Sequence, residues 1–237
     1  MIELALPGAR VAFTTRAGGV SEGAYSSLNL GMQTGDDPAR VTRNRELLAD
    51  AVGLEGRQIA TGHQVHGAEL AEWRAPPRAG GFAGQRGDDV RPVDGHVTES
   101  PGLGLLVLVA DCLPVALATE RRVAILHCGW RGLAAGIVER GVAAFGEPPV
   151  AAVGPGIGRC CYEVGADVLG AFAGIEGAGG DGMLDLRVVA EAKLRAAGVE
   201  RVEHVDLCTS CRADLFFSHR RDAGVTGRQA AIIERVA

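Results

Sequence analysis

Three side chains able to bind a transition metal stand at the ends of apolar runs: His66 in "TGHQVHGAEL" (61–70), Cys112 in "LVADCLPV" and His127 in "VAILHCGWRG". One thiolate and two imidazoles suit Zn²⁺. Three protein ligands leave a fourth position for water, whose acidity the ion would raise towards neutral pH. Strand ends on one side of a sheet can bring such residues together although the sequence separates them. Spacing alone leaves a second reading open, a strand-end cysteine with two histidines of the surface or core, because the chain has no HExxH and no paired CxxC motifs. Asp111, beside Cys112, could act in acid–base chemistry or support a ligand. Trp130 and Arg131 follow His127 at an expected strand-to-helix turn, where an anion such as phosphate could be held. His63 precedes His66 by three residues. On the strand expected here the two face opposite sides and do different jobs.

Other motifs carry weaker chemistry. "GPGIGRCCYEVG" (154–165) lacks the Lys-Ser/Thr ending of a phosphate-binding P-loop and the spacing of a dinucleotide fingerprint, so it reads as a tight turn, with backbone contact to a ligand as the alternative. Its adjacent Cys160 and Cys161 read as small buried residues. "CTSC" (208–211) has a spacing that could bind metal or cycle as a dithiol, but without a second such pair a structural turn is preferred. "SHRRDAGVTGRQ" gathers Arg220, Arg221 and Arg228 around a glycine turn; they are either substrate contacts for phosphate or carboxylate, or a solvated loop paired with Asp222. Asp94 could orient substrate or cap a turn.

These residues must be positioned by a chain of 237 residues, 47% hydrophobic and 22% charged, long enough to bury a sizeable core. The net charge of -5 argues against non-specific nucleic-acid binding. The longest apolar run, "LGLLVLVA" (103–110), is too short to cross a bilayer, and the first residues lack a secretory pattern, so a cytoplasmic protein without a membrane partner is expected. Six cysteines in such a chain read as reduced thiols rather than a disulfide framework.

The pattern predicts a strand at 10–16, a Gly/Ser loop at 18–31, and a helix capped by Asp37, started by Pro38 and stopped by Gly53. "QIATGHQ" and "AELAEW" look like paired strands, and residues 75–93 like a mobile surface loop long enough to act as a lid. "DGHVT", "LGLLVLVA", "LPVALAT" and "RVAILHCG" read as central strands. Helices are expected at 131–146, 165–173 and 187–197, and late strands at "RVEHVD" and "RQAAIIERV". The mixture without strict alternation predicts an α/β (mixed α+β) fold, one layered domain over 1–237 with mixed sheet pairing and flanking helices.

Together, "RAGGVSEGAYSSLNLG", "QVHG", "DGHVT", "ADCLPV", "HCGWRGL", "GPGIGRCCYEVG" and "LFFSHRRDAGVTGRQAAII", in this order across nearly the whole chain, resemble the laccase-domain (YfiH-like) family. Its members have been called multicopper polyphenol oxidases and are now described as zinc-containing purine nucleoside phosphorylases with adenosine deaminase activity. The resemblance implies a YfiH-like fold and the metal ligands His66, Cys112 and His127, with His63 left to a supporting hydrogen bond or solvent. It implies purine nucleoside and inorganic phosphate as partners, and for that chemistry Asp111, Cys112 and Arg131 are the candidate catalytic residues; methylthioadenosine phosphorolysis is a further expected activity, in a monomer or homodimer. Two residues depart from the family pattern: Cys128, where alanine is common, is expected to point away from the ligands, and His219, where tyrosine is common, could lie at the pocket edge. Copper with phenol oxidation is the alternative, although six histidines are few for a multicopper enzyme and the only methionines are Met1, Met32 and Met183. Relatives linked to peptidoglycan-precursor editing suggest amide hydrolysis as another. A non-enzymatic binding module fits least, since polar residues rather than an apolar patch gather at the strand ends.

Overall fold

A computed structural model describes residues 1–77, 82 and 91–236. Its centre is two sheets packed face to face. The first runs β1 (Ile2–Leu6), β2 (Ala9–Phe13), β13 (Gln229–Arg235), β6 (Gly104–Val109), β3 (Ile59–Ala60), antiparallel except for the β6–β3 pair. The second runs β12 (Val202–His204), β9 (Val150–Val153), β7 (Leu113–Ala118), β8 (Val123–Cys128), β5 (Gly95–Thr98), β4 (Leu70–Trp73), with parallel pairs at both edges and antiparallel pairs between. A two-stranded ribbon, β10 (Gly179–Gly180) with β11 (Met183–Leu184), lies apart. The expected mixed α+β fold with mixed pairing is what the chain forms.

Side-chain alternation explains why the central strands read as unbroken apolar runs. In β6, Leu105 and Val107 face the second sheet, meeting Ala116, Ala118 and Ile125, while Leu106 turns outward to Leu48. In β7, Val115 and Leu117 turn the other way, towards Val138, Val189 and Leu194. Helices therefore cover both outer faces. Leu48 belongs to α1 (Pro38–Val52), whose start is capped by the Asp37 carboxylate accepting from Ala39 N at 2.9 Å and whose end is Gly53 at φ 73°, as the sequence predicts. The other face carries α2 (Trp130–Ala134), α3 (Ile137–Ala143) and α5 (Leu186–Ala196), with α4 (Ala166–Gly170) beside them.

Several expectations change. The single helix over 131–146 is two, because Gly136 takes φ 89° and breaks the hydrogen-bond ladder. "QIATGHQ" and "AELAEW" do not pair: β3 joins β6 in one sheet and β4 joins β5 in the other. The intervening residues cross between sheets as a loop, and His66 sits at φ 60°, so the strand expected to separate His63 from His66 is absent. Most of the expected lid over 75–93 lies outside the described residues. Phe82 within it is fully buried against the Arg45 guanidinium, which lies 4.4 Å from its ring and donates to its carbonyl at 2.8 Å; that position is core, not surface. Strands β1 and β9 had no distinct sequence signal. Among the described residues no helix is long and apolar enough to cross a membrane.

Candidate functional site

Neighbouring strand ends of the second sheet carry the three expected ligands. Cys112 immediately precedes β7, and His127 lies in β8, paired with Pro114 across the ladder. Beyond it, β5 follows Asp94 and β4 follows the His66 loop. Ligand atoms of His66, Cys112 and His127 lie within 4.8 Å of one another, and the two imidazoles meet edge to face with centroids 4.9 Å apart.

Asp94 organises the trio. Its Oδ1 lies 2.8 Å from His127 Nδ1 and accepts from His66 N at 2.9 Å; its Oδ2 accepts from Val65 N at 3.0 Å and Gly67 N at 2.8 Å. Burial alone would raise this carboxyl, but the His127 bond and the backbone amides outweigh it and hold it below the ordinary carboxylate range. A charged acceptor at Nδ1 makes that nitrogen the donor and leaves Nε2 as the lone-pair nitrogen for a metal. Of the two roles the sequence left open for Asp94, the structure supports the turn cap: the residue is fully buried and does not line the cavity.

Burial would also raise the Cys112 thiol. The facing imidazoles of His127 and His66 overcome it and bring the group down to about 6, so a thiolate is present near neutral pH. For His127 the opposed effects are burial, which lowers it, and the Cys112 and Asp94 charges, which lift it to about 9. A soft anion facing nitrogen ligands is a donor set that a borderline-soft divalent ion would satisfy, so these residues fit a metal. Gly129 is needed here: a Cβ would stand 3.0 Å from Cys112 Sγ and 3.1 Å from His66 Cδ2.

Asp111 occupies the turn where the chain passes from β6 to β7, at a left-handed φ of 93° that non-glycine residues seldom adopt. Its Oδ1 accepts from Thr209 Oγ1 at 2.6 Å and its Oδ2 from Arg220 N at 2.7 Å. The turn, unlike a generic hairpin, is tied to two late segments of the chain.

The trio and Asp111 open into a cavity of about 540 Å³, a size that suits a small organic ligand. Arg45, Arg131, Arg220 and Arg228 line it. Arg131 lies over the Trp130 ring at 4.5 Å and Arg220 over Tyr162 at 5.2 Å, so each guanidinium rests against an aromatic face. Arg228 donates to the Thr226 and Gly227 carbonyls and Arg220 to that of Glu163, each through one nitrogen, leaving further N–H groups for a ligand. Arg221 does not join them. Its guanidinium is held by Asp222 and by the carbonyls of Thr209, Ser210 and Phe216, so of the three late arginines it is the structural one.

His63 and His219 both line the cavity, and His63 stands outside the three-residue cluster. Cys128 is fully buried in the helix-side core, turned away from the ligands as strand alternation requires. None of the glycines of 154–165 lines the cavity, and Gly154 and Gly156 pack against Phe13 and Leu113 of the two sheets; Tyr162 does line it. Burial, then the Cys112 charge, pushes its hydroxyl up to about 12, so it is a neutral hydrogen-bond donor. Sequence reasoning gave no role to Arg45 or Thr209. A buried arginine on an amphipathic helix is a signal for the first; for the second there is none short of the fold.

Residues 10–236 match the family model described as multi-copper polyphenol oxidoreductase laccase. The chain is 40% identical over 241 residues to a purine nucleoside phosphorylase of Streptomyces coelicolor, covering 95% of each chain. It is 37% identical over 233 residues to the purine nucleoside phosphorylase YfiH of Escherichia coli, covering 93% of this chain and 91% of that one. The crystal structure of YlmD from Geobacillus stearothermophilus superposes with a TM-score of 0.87 at 34% identity, covering 97% of this chain and 93% of the other. A fold shared across nearly the full length and identity well above the level of chance carry one conclusion: the chain belongs to the laccase-domain family of YfiH- and YlmD-like proteins.

Proposed function

We propose that this protein is a zinc-dependent purine nucleoside phosphorylase of the cytoplasm, splitting adenosine, inosine or guanosine with inorganic phosphate into the free base and ribose 1-phosphate. The observation that carries the proposal is the convergence, in one cavity, of the His66–Cys112–His127 cluster, the Asp111 carboxylate and several arginines. Phosphorylase names on relatives that align almost end to end favour the same reading.

In the reaction a phosphate oxygen bonds to C1′ while the C1′–N9 bond breaks and its electron pair departs with the purine. Arg131, Arg220 and Arg228 bind and orient the phosphate, whose charge matches their planar donor arrays. The purine gains electron density as it leaves. Asp111, held by Thr209 and the Arg220 amide, accepts a hydrogen bond from a base N–H and orients the ring, Tyr162 donates from its neutral hydroxyl, and the proton given up by the attacking hydrogen phosphate ends on the departing purine nitrogen. His66, Cys112 and His127 would hold the Zn²⁺, which supplies Lewis-acid polarisation of a bound oxygen or nitrogen. The same cavity serves adenosine deamination, in which water and adenosine give inosine and ammonia, and phosphorolysis of methylthioadenosine.

A chromatographic assay of adenosine with metal-quantified protein, with and without phosphate, tests the proposal. Phosphate-dependent release of adenine that Cys112→Ala abolishes is expected. Intact adenosine after incubation with zinc-replete protein would overturn it and turn attention to amide hydrolysis of peptidoglycan precursors.

A further inference from the structure

The remaining exposed and half-buried cysteines are not scattered. Cys160, Cys161, Cys208 and Cys211 come from two loops about 50 residues apart in sequence, yet all four sulfurs lie within 4.8 Å of one another. Cys160 and Cys161 were expected to be small buried residues and are not: Cys160 is exposed and Cys161 half-buried. We propose that these four thiols form a second metal site, a structural Zn²⁺ held by Cys160, Cys161, Cys208 and Cys211, distinct from the His66–Cys112–His127 cluster and independent of the activity proposed above.

Distances carry the argument. With Zn–S bonds of about 2.3 Å in a tetrahedron, the sulfurs stand about 3.8 Å apart. Cys211 Sγ lies 3.5 Å from Cys160 Sγ and 3.4 Å from Cys161 Sγ, close to that spacing and far beyond the roughly 2.05 Å of a disulfide. Cys211 is shared between two partners, so a disulfide to either strands the other thiol, whereas a tetrahedral centre uses all four. The CxxC spacing of Cys208 and Cys211 is that of a chelating turn.

Surrounding groups suit thiolate ligands. Gly158 N donates to Cys208 Sγ at 3.2 Å, an amide-to-sulfur bond that favours the deprotonated form. A Cβ at Gly158 would crowd Cys160 Sγ at 3.2 Å and Cys208 Cβ at 3.3 Å. Arg187 donates to the carbonyls of Gly156 at 3.0 Å and Leu207 at 2.7 Å, bracing one loop against the other next to the sulfurs. Soft all-sulfur donors in tetrahedral array select zinc over harder divalent ions.

The centre would act as a rivet. Tyr162 follows Cys161 directly and lines the cavity, and Thr209, between the two later cysteines, holds Asp111. Fastening the two loops fixes both.

Metal analysis of the full-length protein, purified under reducing conditions, should find two zinc ions per chain. Cys112→Ala, Cys160→Ser and Cys211→Ser should each retain one. Cobalt replacement gives a second readout: the intense thiolate-to-metal charge-transfer absorption of a four-sulfur centre should persist in Cys112→Ala, where no folding defect at the four-cysteine site can confuse it, and vanish in Cys211→Ser. A single zinc that Cys112→Ala removes would overturn the proposal. So would iron at this position, or an intact mass short by the hydrogens of a disulfide.

Discussion

Asp94 Oδ1 bridges His127 Nδ1 at 2.8 Å and His66 N at 2.9 Å, so one buried carboxylate sets both the ring of one ligand and the backbone of another. Asp94→Asn keeps the shape but removes the charge. Metal affinity at the three-ligand cluster should fall by roughly 10–100-fold, the usual cost of losing such a supporting partner. Competition with a chromophoric chelator measures it, and an unchanged affinity would mean the carboxylate only caps the turn.

Asp111→Asn should lower kcat for phosphorolysis by about 10²–10⁴-fold while leaving the metal content of the His66–Cys112–His127 cluster intact. The pairing of the two readouts matters. Lost metal together with lost activity would make Asp111 a support for its neighbour Cys112 rather than a group acting on substrate.

Arg131→Ala and Arg228→Ala each remove charged donors from the cavity wall. A hydrogen bond to a charged group is worth about 1.5–3 kcal/mol, so the KM for phosphate should rise on the order of 10–100-fold with a smaller change for nucleoside. Arg221→Ala, whose guanidinium is spent on protein carbonyls and Asp222, should instead lower thermal stability. Initial-rate kinetics and a melting curve separate the two kinds of arginine.

His96 is fully buried, accepts from Trp73 Nε1 at 3.1 Å through Nδ1, and has no partner at Nε2 among the described residues. Burial, only partly opposed by Asp94, lowers it from 6.5 to about 4. The unfolded chain therefore takes up a proton below pH 6.5 that the folded one refuses until pH falls to about 4. Stability present above pH 6.5 should decline across that window by roughly 3 kcal/mol. Urea unfolding in a Cys112→Ala background, compared with and without His96→Gln so that metal effects common to both cancel, tests this: adding His96→Gln should flatten the slope, and an unaltered slope would refute the assignment.

Legibility followed the range of the interactions involved. Local signals were reliable where the physics is local. Asp37, Pro38 and Gly53 set out α1 because cap, first turn and stop lie within one short segment. The metal trio was visible because each ligand closes an apolar run, although only the assembled sheet shows that β7 and β8 pair and that the His66 loop reaches them. Long-range features were hidden. Nothing near residue 59 says that β3 and β4 enter different sheets, and nothing near Asp111 announces Thr209 or Arg220 as its partners. The four-cysteine cluster failed for the same reason. Each pair alone resembles a turn or a small core residue, and only a fold that brings residues 160 and 211 together changes that meaning.

The position of β13 has a consequence for how the molecule is made. It lies between β2 and β6, in the middle of its sheet, although every other element precedes it in the chain. During synthesis β2 and β6 are complete while the slot between them stands open, each presenting an unpaired edge that can recruit another chain. The nascent protein is thus vulnerable until β13 is made, and a ribosome that stops short of Gln229 leaves a chain whose first sheet has no middle.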